Sequence, residues 1–117
     1  MQFLALIVFL IVAFCGVYIV KRRKSNKKVN RLLISAHGLT GVVGLILLII
    51  GQFRGWYWSS NWGWISVLLF TTLLVFGFMA FGKWFKGRKT PFLLIMFHGA
   101  FASMCIGVLT YSLIMVN

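Results

Sequence analysis

Four apolar runs, each close to the length that crosses a bilayer, take up nearly the whole chain, and none contains an acidic residue. They cover residues 2–20, 32–51, 62–82 and 91–116. About 20 apolar residues in helical form span the ~30 Å hydrocarbon core. No water is present there to satisfy backbone N–H and C=O groups, so such segments must be helical. Composition points the same way. The chain has 117 residues, 62% of them hydrophobic, with 12 Lys+Arg and no Asp or Glu, and its mean hydropathy is +1.01. A soluble domain is about 45–50% apolar and about 25% charged. The expected fold is all-α: an integral membrane four-helix bundle, a single transmembrane domain over residues 1–117.

The charges set a topology. Lys21, Arg22, Arg23, Lys24, Lys27, Lys28 and Arg31 lie between the first two runs, and Lys83, Lys86, Arg88 and Lys89 between the last two. Only Arg54 lies between the second and third, so the count is eleven against one. The positive-inside rule then puts loops 21–31 and 83–89 in the cytoplasm and both termini outside, as in a bacterial inner membrane. A secretory signal would carry its cations before its apolar run; here they follow it. Basic clusters flanking membrane spans suit anionic headgroups of the lipid bilayer, not nucleic acid. Trp56, Tyr57, Trp58, Trp62 and Trp64 form an outer aromatic belt, with Trp84 and Phe85 at the inner interface. Cys15 and Cys105 differ in depth by roughly 12 Å on helical rise, beyond the reach of a disulfide, so both are expected as free thiols.

Shifted by 61 residues without gaps, the two halves align. Phe9 meets Phe70, Gly16 meets Gly77, Lys28 meets Lys89, His37-Gly38 meets His98-Gly99, and Leu48 meets Leu109. This reads as two parallel two-helix repeats, units 1–56 and 62–117, each a helix, a basic loop and a helix. Parallel repeats in a membrane are related by an axis along its normal. The pseudo-twofold puts His37 and His98, the only histidines, at equal depth on opposite sides of that axis. Each lies roughly 9–10 Å inside the cytoplasmic boundary at helical rise. An ionisable side chain at that depth is a functional-site hypothesis facing the bundle interior.

Helical spacing puts His37, Gly41, Gly44, Leu48 and Gly51 on one stripe, and His98, Ala102, Cys105, Leu109 and Ser112 on its counterpart. Small residues allow close approach of a helix or of a flat cofactor. Three readings follow. The histidines are axial ligands of one haem b, with Gly41, Gly44, Ala102 and Cys105 lining its pocket and the basic loops pairing with its propionates. Alternatively they hydrogen-bond across helices to Ser35, Thr40 or Ser103. In the third reading they line a proton or solute path, without any carboxylate to work with. A closed zinc site is not available from two histidines and two distant cysteines, and no nucleophile–base pair or phosphate loop is present.

On these two His-Gly segments and the bundle, the chain resembles the di-histidine membrane b-type cytochromes, of the cytochrome b561 or b-haem anchor-subunit kind. Members of the b561 kind carry two histidine pairs near opposite faces; here there is one pair, near one face. The resemblance implies one-electron transfer by a carrier or accessory subunit more than a self-contained enzyme, with iron held by His37 and His98. The partners expected are other membrane subunits or a quinone or other redox partner, and the sequence is also compatible with a homodimer sharing cofactors. The alternative is a non-redox membrane subunit for assembly, scaffolding or transport, whose histidines only pack.

Overall fold

The computed structural model describes residues 2–54, 61–79 and 91–116. They form four helices: α1 (Gln2–Lys24), α2 (Arg31–Arg54), α3 (Asn61–Phe78) and α4 (Phe92–Val116). All four are long and apolar enough to cross a membrane. The long axis of the molecule measures 48 Å, slightly more than a bilayer with its headgroups, about 40–45 Å.

The helix ends differ from the hydropathy boundaries for local reasons. α1 runs past residue 20 through the cations to Lys24, because its stop signal is Asn26. That residue adopts φ 56°, its N–H donates to Arg23 C=O at 3.1 Å, and Lys27 N–H reaches back to Arg22 C=O at 3.0 Å. This is a Schellman cap with asparagine in the left-handed position. The four cations of the last turn oppose the negative end of the helix dipole. Asn30 caps α2, its Oδ1 accepting from Leu32 N–H at 3.0 Å. Pro91 precedes α4, and its carbonyl accepts from Leu94 and Ile95. α2 continues three residues past Gly51, so Gln52 is helical where hydropathy placed the start of a loop. The expected third-span residues 80–82, the cations at 83–89, and Trp56, Tyr57, Trp58, Trp84 and Phe85 lie outside the described residues.

The helices pack in a ring, α1 on α2, α2 on α3, α3 on α4 and α4 on α1. Their shared core holds Ala5, Phe9, Leu45, Leu48, Phe70, Cys105 and Leu109. At its centre the Phe9 and Phe70 rings stack across the bundle, 3.8 Å apart and 8° from parallel. The outer surface carries large apolar side chains such as Phe14, Leu32, Leu39, Leu68 and Ile114. In water so much exposed apolar surface would drive aggregation; in a bilayer it faces lipid. Hydroxyls in the spans satisfy themselves on their own helix. Thr40, Ser66, Thr71, Thr72, Ser103 and Thr110 each donate to the carbonyl four residues back, as polar groups in hydrocarbon must find partners. Cys15 and Cys105 are both free thiols.

Candidate functional site

The two expected interior stripes do face the core. Gly44, Leu48 and Gly51 on α2 are buried, as are Cys105, Leu109 and Ser112 on α4, and both histidines are half-buried. His37 and His98 meet across the bundle with ring centroids 6.5 Å apart and planes at 63°.

A glycine on the preceding helix seats each imidazole. A Cβ on Gly16 of α1 would lie 3.0 Å from His37 Cε1 and 3.8 Å from both ring nitrogens. A Cβ on Gly77 of α3 would lie 3.0 Å from His98 Cε1, with the nitrogens at 3.7 and 3.9 Å. The two seats are alike to within 0.1 Å, and each uses a residue pair that recurs at the 61-residue offset. Phe76, next to Gly77, lies nearly parallel to the His98 ring at 6.4 Å. The Val12 carbonyl on α1 interacts with the His37 ring. His37 Nδ1 is buried and has no hydrogen-bond partner among the described residues.

That unpartnered nitrogen bears on the cross-helix hydrogen-bond alternative. Thr40 and Ser103 donate their hydroxyl protons to the Ala36 and Gly99 carbonyls, and Ser35 is exposed. A buried donor or acceptor left unmade costs on the order of 1–3 kcal/mol; His37 Nδ1 carries that cost, while the Val12 carbonyl of α1 gives the ring one cross-helix partner.

The separation of the rings limits what fits between them. A metal about 2 Å from one nitrogen of each ring puts the ring centroids roughly 6 Å apart, two bonds plus the two nitrogen-to-centre distances. The observed 6.5 Å leaves space for one atom between the rings. Among the described residues no group of three or more His, Cys, Asp or Glu comes together, so the chain offers two ligands and no closed cage. Two axial imidazoles are what an iron already held by a macrocycle requires. The two donors present are of the kind such an iron would take, one imidazole from each of two helices.

The small residues expected to line a pocket are distributed differently. A Cβ on Gly44 would lie 2.9 Å from Phe9 Cε1, so a phenyl ring occupies the space this glycine clears. A Cβ on Gly41 would touch Leu74 at 3.7 Å. Cys105 sits in the core cluster with Phe9 and Phe70, and Ala102 is half-buried one turn beyond His98. The clearance beside the histidines comes instead from Gly16 and Gly77. Gly38 and Gly99, which follow the histidines, have no neighbour within 4 Å of a Cβ, and packing gives no account of their recurrence.

Sequence reasoning missed Gln52. It is 1% exposed, and neither amide atom has a hydrogen-bond partner among the described residues. A Cβ on Gly63 of α3 would overlap its amide. The available signal was its position four residues after Leu48, which continues the interior stripe. Gly63→Ala is expected to expel this amide from its niche and to cost about 1–3 kcal/mol, the usual range for overpacking. Gln52→Ala in the same chain should remove most of that penalty, measured as unfolding free energy in mixed micelles. Equal penalties with and without Gln52→Ala would show that the niche is not the cause.

No protein-family model, no curated protein and no solved structure matches this chain.

Proposed function

We propose that this protein is a membrane b-type cytochrome-like electron carrier, or a subunit of a redox complex, holding one bis-histidine haem b between His37 and His98. The observation that carries the reading is the 6.5 Å separation of two imidazoles facing each other across the bundle. The seats at Gly16 and Gly77 support it, since each fixes a ring where a side chain on the neighbouring helix would push it away.

When bound, the haem supplies one-electron transfer at its iron. The chain's residues do the rest. His37 and His98 would hold the metal from two helices. Gly16 and Gly77 set the ring positions, and Phe76 limits the tilt of His98. The Phe9–Phe70 stack, roughly two helical turns from the glycine seats along α1 and α3, closes the core beyond the site. The apolar surroundings exclude water, which favours the less charged redox state and is one lever on potential.

The reading includes the finer architecture: two parallel repeats about a pseudo-twofold along the membrane normal, basic loops in the cytoplasm, and the site in the inner half of a bacterial inner membrane. The buried sets support it. Ala5, Phe9, Gly44, Leu48 and Gly51 are buried in one half, and Ser66, Phe70, Cys105, Leu109 and Ser112, each 61 residues on, in the other. Partners would be membrane redox subunits or a quinone. The competing reading is a non-redox subunit whose histidines only pack. It draws on the close fit of each imidazole to its glycine, and it leaves His37 Nδ1 buried without a partner.

The test is stoichiometry. Protein purified from haem-sufficient cells should carry one haem b per chain by the pyridine haemochrome assay. A folded, helical protein with no haem under those conditions contradicts the proposal.

A further inference from the structure

We infer that the cytoplasm-proximal end of α1 and the turn after it form a binding site for the phosphate headgroup of an anionic phospholipid. Tyr18, Lys21, Arg22, Ser25 and Lys27 line a cavity of about 250 Å³ there. Three basic and two hydroxyl-bearing residues line it.

The site is ordered before any ligand arrives. Arg22 lies over the Tyr18 ring, 5.9 Å from its centroid. One guanidinium nitrogen is 3.4 Å from the Tyr18 hydroxyl, and another donates to the Lys28 carbonyl at 3.1 Å. The Asn26 cap folds the chain back and brings Lys27 beside Lys21 and Arg22. A guanidinium held in place loses less freedom on meeting a phosphate.

The counter-charge must come from outside. The chain has no Asp or Glu, so no acidic side chain of its own can neutralise the cluster. Basic pockets at the membrane surface take anionic headgroups.

The helix face makes the source a lipid and not a free phosphate. Ile11, Phe14, Tyr18, Lys21 or Arg22, and Ser25 follow one another at helical spacing along α1. Ile11 is 57% exposed and Phe14 75%. A headgroup in the cavity would lay its acyl chains along these apolar side chains.

Native mass spectrometry of protein released from phosphatidylglycerol/phosphatidylcholine nanodiscs tests this. The wild type should retain phosphatidylglycerol in preference to phosphatidylcholine. Arg22→Gln with Lys27→Gln should lower that preference by about twenty-five-fold, on the order of fivefold for each cation near the surface. Lys24→Gln with Arg31→Gln removes the same charge from residues that do not line the cavity, and should lower it severalfold less. Equal losses in the two double variants, or no headgroup preference in the wild type, would overturn the site. Millimolar inorganic phosphate should leave the adduct in place; displacement by it would mean a free-phosphate site and overturn the lipid assignment. Circular dichroism of both variants checks that they remain helical.

Discussion

His37→Ala is expected to abolish the reduced α-band of the purified protein, and His98→Ala to do so as completely as the double variant. That result is expected because a low-spin site needs both axial nitrogens at once. The imidazoles face each other from opposite helices, with centroids 6.5 Å apart. Removing either leaves one ligand and a gap, and a singly ligated haem is either high-spin or lost. The two losses should therefore be strongly non-additive, as for any pair acting as a unit. Retained helicity by circular dichroism separates this from unfolding. A further variant, His37→Gly, leaves the Gly16 seat intact and vacates the ring position. Imidazole added to it should restore part of the band. Loss of the band in one histidine variant and survival in the other would show that the two do not share a site.

Gly44→Ala is expected to destabilise the bundle by about 1–3 kcal/mol through overpacking, and Gly44→Leu to prevent assembly. The sign is informative, because in a helix interior alanine is otherwise better than glycine by roughly 0.5–1 kcal/mol. The added Cβ would lie 2.9, 3.1 and 3.2 Å from three atoms of the Phe9 ring. That ring has nowhere to go, since its far face is stacked on Phe70 at 3.8 Å. Gly107 provides the contrast, with nothing within 4 Å of its Cβ. Gly107→Ala should be neutral or stabilising, so the two substitutions should move stability in opposite directions. Phe9→Leu should relieve part of the Gly44→Ala penalty. Unfolding free energies in mixed micelles measure all three, and a stabilising Gly44→Ala would rule out the ring contact as drawn.

Four helices and their approximate limits were legible from hydropathy, because a bilayer-spanning helix has a length set by the membrane. The interior stripes on α2 and α4 were legible from helical spacing alone, and all six of their small or apolar members at and beyond Gly44 and Cys105 are buried. The contents of those stripes were not legible. Gly44 reads as room for a cofactor, yet it receives Phe9, because spacing along one helix says nothing about which residue of its neighbour stands at the same height. That Gly16 and Gly77 relieve crowding at the level of the histidines was legible from their distance to the loop charges; the missing register hid only that Gly16 seats His37 and Gly77 seats His98. The 61-residue alignment marked all four residues without telling which touched which. Helix ends depended on local caps at Asn26 and Asn30, which hydropathy does not weigh. Gln52 was set aside because an amide ends an apolar run, although its position after Leu48 belonged to the buried face.

A metal held between these two imidazoles would join ring planes 63° apart. Low-temperature electron paramagnetic resonance of the oxidised protein tests for it most directly. Crossed imidazole planes give a highly anisotropic low-spin ferric signal, whereas near-parallel planes give a rhombic one. The wild type should give the anisotropic signal, and both His37→Ala and His98→Ala should lose it. A folded protein from haem-sufficient cells with no low-spin signal, or one whose signal survives either substitution, would contradict the proposal.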